Sequence, residues 1–280
     1  METQNEPSGP KVWFITGASR GLGRVWAEAA LERGDRVAAT SRKAEDVADL
    51  AERFGDAVLP LELDVTNGDQ VALAVTRAHG HFGRLDVVLN NAGYSLVGMV
   101  EEAEVEAVRA QFETNFFGTL RVIQAALPLL RQQRSGHILG VSSAVGLVAH
   151  PFIGLYGASK FAVEALLDSL AQEVKAFGIQ VTILEPGAYS TEFGSPRSAK
   201  VSPAIEAYAA QREQIFAGLK ALNRGNPRAT ARAILQIVDA KDPPLRFAVG
   251  SEVLPGTRTA YAQRLATWAG WEELSNSAQG

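Results

Sequence analysis

Apolar and polar positions change period repeatedly along the 280-residue chain. Val12 to Thr16 is a short apolar run ending at a glycine, the pattern of a strand buried on both faces. Leu22 to Arg33 then carries apolar side chains at helical spacing, and Gly34 stops it before a second strand at Val37 to Thr40. The alternation recurs as helix Ala44 to Phe54, strand Val58 to Leu63, helix Asn67 to Gly80 and strand Leu85 to Leu89. A long helix over Ala103 to Arg131 follows, with a bend expected at Pro128. Strand His137 to Val141, helix Ala158 to Ala176 and strand Gln180 to Leu184 continue the series. This repetition predicts an α/β fold, a doubly wound parallel sheet of about seven strands in one domain.

Beyond Pro186 the regularity fails until a helix at Pro227 to Asp239 and a strand at Leu245 to Val249. Residues 190–226 therefore form an insertion, expected to act as a substrate lid. It starts with Gly194, Ser195 and Pro196 and carries one amphipathic segment through Ile205, Tyr208, Ile215, Phe216 and Leu219. Residues 1–10 are polar and expected to be flexible, residues 11–280 form the single catalytic domain, and residues 257–280, with Trp268 and Trp271, read as a docking segment.

Composition narrows the function classes. With 46% hydrophobic residues the chain can bury a sizeable core, which excludes a disordered scaffold. A net charge of −4 without a long basic run makes nucleic acid an unexpected partner. The absence of cysteine removes disulfides, thiolate metal sites and cysteine nucleophiles, and suits a reducing compartment. No stretch approaches the ~20 apolar residues of a membrane span, so a soluble cytoplasmic chain is expected. No metal site is expected either: His79, His81 and His137 read as exposed histidines, and Glu101, Glu102, Glu104 and Glu106 as a charged helix entrance.

The glycines of Thr16-Gly17-Ala18-Ser19-Arg20-Gly21-Leu22-Gly23 fall between the first strand and its helix. Glycine there permits positive φ and close approach of a pyrophosphate, while the helix N-terminus presents unpaired N–H groups to it. The acidic residue that would bind an adenosine ribose at the end of the second strand is missing. Ser41 and Arg42 stand there instead. A guanidinium at that place, helped by Arg20, can grip a 2′-phosphate, which favours NADP(H) over NAD(H).

Further signals appear in order along the chain. Asp64-Val65 ends the third strand and Asn90-Asn91-Ala92-Gly93 the fourth. Asn115 lies mid-helix, Ser143 follows the strand ending at Val141, and Tyr156 and Lys160 form a Tyr-x-x-x-Lys pair on one helix face. Pro186, Gly187 and Thr191 follow the sixth strand. Together these resemble the short-chain dehydrogenase/reductase family in its compact branch, from about Val12 to Thr191, and so imply a Rossmann fold.

The resemblance implies roles residue by residue. Tyr156 would be the acid in reduction and the base in oxidation; a free phenol, with pKa ≈ 10, needs a neighbour that favours the phenolate. Lys160 would supply that positive charge and bind the nicotinamide ribose. Ser143 would hold the substrate oxygen, and Asn115 would bend its helix and hold a water behind Lys160. The cofactor would lie on Gly17, Ser19, Arg20, Gly21, Leu22 and Gly23, with Ser41 and Arg42 at the 2′ position and Asp64 and Val65 at the adenine. Asn90, Ala92 and Gly93 would line the riboses, Asn91 would partly tie strands together, and Pro186, Gly187 and Thr191 would meet the carboxamide and phosphate. Glu185 reads as a structural acid with no catalytic role.

Tyr94, Leu147, His150, Phe152, Tyr189 and Phe193 are expected to border an apolar substrate pocket, which suits a hydrophobic ketone or alcohol. A nucleotide-sensing regulator of the same fold and a sugar-nucleotide epimerase or dehydratase are the alternatives. The former has no need of Asn115, Ser143, Tyr156 and Lys160 together, and the latter usually has a longer C-terminal domain. The surplus of apolar residues on the Tyr156 helix, Phe161, Val163, Ala165, Leu166 and Leu170, predicts a homodimer or homotetramer.

Overall fold

The computed structural model describes residues 9–193, 195 and 198–280. The expectations for residues 1–8 and for Gly194 and Pro196 therefore lie outside the described residues. Seven strands, β1 (Val12–Ile15), β2 (Arg36–Ser41), β3 (Val58–Glu62), β4 (Val87–Asn90), β6 (Gly136–Val141), β7 (Ile179–Pro186) and β9 (Arg246–Val249), form one sheet. Its order is β3-β2-β1-β4-β6-β7-β9, and every pairing is parallel. The remaining two, β5 (Ser95–Val97) and β8 (Ala199–Val201), make a small parallel pair outside it.

Both faces of the sheet are covered, which is why its strands are apolar throughout rather than alternating. Val12 and Phe14 of β1 join one core half and Trp13 and Ile15 the other. The first half lies under α3 (Gly68–Phe82), α5 (Gly118–Gln133) and α6 (Gly154–Val174), and the second under α1 (Gly21–Glu32), α2 (Ala48–Phe54) and α8 (Ala231–Asp239). Two indole tips inside the second half are paired. The Trp13 indole donates to Asp35 at 2.8 Å, and the Trp26 indole donates to Thr230 Oγ1 at 2.8 Å, pinning α1 to the segment before α8.

Three departures from the sequence pattern bear on the site. The long helix continues through Pro128, which sits inside α5, and is interrupted earlier by a π-helical turn at Glu113–Phe117, after α4 (Val105–Phe112). One extra residue per turn there swings Asn115 inward, as such bulges do at functional positions. The Tyr156 helix begins at Gly154 rather than Ala158, so the tyrosine lies within its first turn. The insertion carries β8 and α7 (Ala209–Ala221), and no side chain of α7 is buried.

The tail forms α9 (Val253–Gly270) and α10 (Glu272–Ser277). Where docking was expected, Trp268 and Trp271 remain 63% and 65% exposed. No helix among the described residues is long and apolar enough to cross a membrane.

His137, read as exposed, is buried within β6, and its Nε2 lies 2.9 Å from Thr182 Oγ1. Thr182 Oγ1 donates to the Pro244 carbonyl, so the imidazole is the donor to the hydroxyl and its Nδ1 is left bare. Burial, aided by the charge of Lys11, pushes its pKa down to about 4. The unfolded histidine takes up a proton near pH 6.5 and the folded one only near 4, so the stabilisation is complete above the unfolded value and is lost as pH falls through this window. The loss amounts to about 3 kcal/mol. Denaturant unfolding of wild type and His137→Gln between pH 7.5 and 4 should show the steeper acid decline in wild type; parallel profiles would contradict a buried neutral imidazole.

Candidate active site

The crevice of an open α/β sheet lies beyond the carboxyl ends of its strands, where the strand order reverses. Here the reversal falls between β1 and β4. The chain turns away from β1 at Gly17 and Gly21, with φ of 67° and 62°, values that side-chain-bearing residues avoid. A Cβ on Gly21 would meet nothing closer than Thr191 Cβ at 4.0 Å, so open space lies in front of it. Gly23 has a different reason. A Cβ there would lie 2.3 Å from Asn91 Nδ2 and 2.6 Å from the Gly17 carbonyl, so α1 can approach the sheet only with glycine at this position. No acidic side chain lies in the first turn of α1 and none caps it. Its N–H groups thus face an uncontested cradle for an anion.

The neighbouring strand ends complete the crevice. Asn91 Nδ2 donates to the Thr16 and Gly17 carbonyls, both at 3.0 Å, so its side chain ties β4 to the glycine turn. Asn90 Oδ1 is buried without a hydrogen-bond partner, an acceptor open to a hydroxyl donor. Asp64 Oδ1 accepts from Thr66 N and Oγ1 at 2.9 and 2.7 Å, and its other oxygen has no partner among the described residues. Val65 is buried against Gly118 at the start of α5. Ser41 is less available than expected: its hydroxyl bonds the backbone of Lys43 in a tight turn. Arg42 is exposed beside it. Gly187, after Pro186, is imposed by Glu252, whose carboxylate accepts from Ala188 N at 2.9 Å and would clash with any Cβ. Gly21, Arg24, Glu28, Ser190, Thr191, Glu192 and Arg228 line a cleft of ≈ 580 Å³ along the N-terminus of α1, with two carboxylates beside its two arginines. An open glycine cradle, an orphaned Asn90 oxygen and this cleft fit a dinucleotide.

Ser143, Tyr156, Lys160 and Asn115 converge beyond β4, β6 and β7. Lys160 Nζ donates to the Val141 carbonyl at 2.7 Å and lies 5.6 Å from the centre of the Tyr156 ring. Asn115 Oδ1 accepts from Tyr94 N at 3.1 Å, while its Nδ2 donates to the Tyr94 carbonyl and to Ser159 Oγ, both at 3.0 Å. A Cβ on Gly93 would lie 3.0 Å from Asn115 Oδ1 and 3.7 Å from Lys160 Nζ, so glycine opens the way to the lysine. Burial pushes the Lys160 pKa down to about 8, against the pull of Glu164. Burial also raises the Tyr156 pKa, and the adjacent Ser143 hydroxyl opposes that rise. At neutral pH the pocket therefore holds a protonated phenol beside a mostly charged ammonium.

Aromatic side chains surround this group. Phe193 lies 5.5 Å from the Tyr156 ring, and Phe152 meets Phe216 of α7 edge-on at 5.3 Å. Phe152 has φ of 69°, a left-handed conformation disfavoured for a bulky residue. Its carbonyl is held by Gly98 N at 2.8 Å. Leu147 is buried nearby, whereas Tyr94 sits under Lys200 Nζ with its hydroxyl unpaired. His150 is exposed. Tyr189 packs on Gly225 and on the core half under α1 and α8, away from the catalytic group. Among the described residues no group of three or more His, Asp or Glu could hold a metal.

The sequence profile of the short chain dehydrogenases matches residues 11–202. The chain belongs to the short-chain dehydrogenase family. This dehydrogenase is 42% identical over 269 residues to oxidoreductase BOA17 of Botryotinia fuckeliana, covering 95% of this chain and 98% of that one. It is 38% identical to a 3-ketodihydrosphingosine reductase of Bacteroides thetaiotaomicron, over 91% and 97% of the two chains. A short-chain dehydrogenase from Streptomyces avermitilis superimposes with a TM-score of 0.90 at 36% identity, covering 96% and 99%. A Burkholderia cenocepacia short-chain dehydrogenase in complex with NADP does so with 0.75 at 30% identity, covering 93% and 96%.

Two features of the dehydrogenase escaped the sequence reading. Glu102, read as part of a charged helix entrance, is buried, and it accepts from Met99 N at 2.8 Å and Ile205 N at 3.0 Å while pairing with Arg212. It tethers the insertion to the main fold. The second is a four-residue period, Tyr156, Lys160, Glu164 and Asp168, that puts two acids on the catalytic helix face. That spacing was legible; the burial of Glu164 was not.

Proposed function

We propose that this short-chain dehydrogenase transfers hydride between NADP(H) and a hydrophobic ketone or secondary alcohol, with Tyr156 handling the proton. The observation that carries the reading is the Tyr156 phenol, buried against Lys160 and Ser143 beside an open glycine cradle. Bound nicotinamide supplies or accepts the hydride. Ser143 and Tyr156 position the substrate oxygen, Tyr156 gives it a proton in reduction, and the Lys160 charge stabilises the phenolate left behind. A buried lysine with pKa near 8 is ionised in most molecules at pH 7 yet close enough to titration to relay a proton.

Exposed Arg42, flanked by Lys43 and with no carboxylate at the end of β2, supports NADP(H) over NAD(H). The NADP complex of the Burkholderia cenocepacia relative agrees with this choice. Phe152, Phe193 and Phe216 support an apolar substrate, and the keto group in the name of the Bacteroides relative supports a carbonyl as its reacting end. Residues 190–226 serve as the cover that selects it, a reading supported by Thr191 beside the glycine turn, Phe193 against Tyr156 and Phe216 against Phe152. The chain works as a dimer or tetramer in which the α5 and α6 faces pair: Phe117, at the end of the π turn before α5, is 42% exposed and Ala165 of α6 lies on the surface, whereas Val163 and Leu170, counted in the apolar surplus of that helix, are buried in the core.

Tyr156→Phe is expected to lower kcat/KM by a factor on the order of 10² to 10⁴ while NADPH binding, followed by its fluorescence, is retained; full turnover would place the acid elsewhere. Arg42→Ala should weaken NADPH roughly 10- to 100-fold and leave NADH nearly unchanged, and equal losses for both would remove the 2′-phosphate contact. Light scattering at micromolar concentration should give twice or four times the 29.9 kDa chain mass; a monomer would refute the assembly.

A further inference from the structure

Behind the catalytic pair lies a buried ion cluster that the proton transfer as described does not use. Tyr156, Lys160, Glu164 and Asp168 follow one another at four-residue intervals along α6, so their side chains rise on one helix face. Glu164 and Glu185 are only 5% and 3% exposed, a placement that carboxylates rarely tolerate unpaired. Arg246 of β9 reaches across to both. Its guanidinium pairs with Glu164, lies 3.4 Å from Glu185 and bonds Asp168 at 2.9 Å. Gly146 gives the cluster its tight packing, because a Cβ there would lie 2.5 Å from Ser142 Oγ, 3.2 Å from Lys160 Cβ and 3.3 Å from Glu164 Cγ. Lysine, acid and hydroxyl therefore gather around one missing methyl.

We infer that Glu164 is a positioning residue for proton transfer: clamped by Arg246 against Glu185 and packed one helical turn behind Lys160 at Gly146, its carboxylate sets the electrostatic environment of the Lys160 side chain without touching the ammonium, which is held by the Val141 carbonyl. The inference rests on the proposed roles of Tyr156 and Lys160 and adds the group that governs the charge of the lysine.

Electrostatics agree with the geometry. Desolvation disfavours the Lys160 charge and Glu164 is the group that restores it. Arg246 is the other cation facing Glu164, and Asp168 on α6 and Glu185 on β7 are the acids that face it. The Ser142 hydroxyl, from the end of β6, also lies against it, yet neither Ser142 Oγ nor Glu164 Oε1 makes a hydrogen bond of good geometry. One guanidinium cannot fully serve two buried carboxylates. Burial and then the charge of Glu164 accordingly push the Glu185 pKa up to about 7, and burial raises the Glu164 carboxyl as well, against the pull of Ser142 and Arg246. Protonation of Glu185 thus relieves the pair near neutrality and changes the field around Lys160.

The test follows Lys160 directly by lysine-selective ¹³C and ¹⁵N NMR of the full chain, titrated from pH 5 to 10. Glu164→Gln is expected to lower the Lys160 midpoint by about one pH unit or more, a tenfold loss of proton affinity. Glu164→Asp, which keeps the charge, should restore most of it. Glu185→Gln should leave Lys160 charged at pH 7 and remove any inflection near that pH from its signal. Should the unpaired guanidinium unfold Glu164→Gln, the double variant Glu164→Gln with Arg246→Gln is compared with Arg246→Gln alone, so that the lost guanidinium charge is common to both. A Lys160 midpoint unchanged on loss of the Glu164 charge, in Glu164→Gln or in the double variant against Arg246→Gln, would overturn the inference. Turnover retained by Tyr156→Phe would sink the proposed function while leaving this titration as it stands, so the two failures are distinguishable.

Discussion

The hydrogen bonds of the Asn115 side chain hold the working parts of this protein together. They join the end of the β4 segment at Tyr94, the π turn on which Asn115 stands, and Ser159 on α6. Ser159 Oγ in turn donates to the Tyr156 carbonyl at 2.7 Å. The glycine-lined crevice and the catalytic helix are thereby fixed to one buried amide. A fully satisfied buried amide of this kind specifies one arrangement, since any shift strands polar groups away from water. The π turn is the cost of placing Asn115 there, for a regular helix would carry the amide to another face.

Around that amide the site is an exercise in burying charge. Lys160 loses proton affinity by leaving water and regains part of it from Glu164, whose own burial is tolerated because Arg246 faces it. Arg246 comes from the last strand of the sheet, 82 positions after Glu164. The edge strand β9 therefore supplies the guanidinium that faces Glu164 as well as closing the sheet beside β7. Removing any single charge from such a chain leaves its partner exposed to a low-dielectric interior, and that makes the cluster more sensitive than a surface ion pair.

The insertion shows a different economy. α7 buries none of its side chains, and β8 pairs only with the three-residue β5. What keeps the segment in place is Glu102, accepting from Ile205 N and pairing with Arg212, together with the Phe152–Phe216 contact. A segment held by a few specific contacts rather than by a core can vary in sequence without disturbing the sheet. That suits a substrate-selecting element on a shared dehydrogenase scaffold.

Local pattern determined a great deal here. Apolar runs of strand length between helical periods dictated a parallel sheet covered on both faces, and the glycine turn, Asn90 to Gly93, Ser143 and the Tyr156–Lys160 spacing marked the crevice, because each needs a residue type at a fixed offset along one element. Only the tertiary structure decided the rest. The interruption of the long helix lies at Asn115 because its amide must reach Tyr94 and Ser159, partners 21 and 44 positions away, which no local signal in the sequence marks. His137 and Glu102 read as surface groups yet are buried, since burial depends on which other elements cover a position. Tyr189 turned to Gly225 instead of the pocket for the same reason. Glu164, Glu185 and Arg246 are three ordinary charges in the sequence; their meeting behind Lys160 exists only once β7, β9 and α6 are packed, because electrostatic coupling follows distance in space and not along the chain.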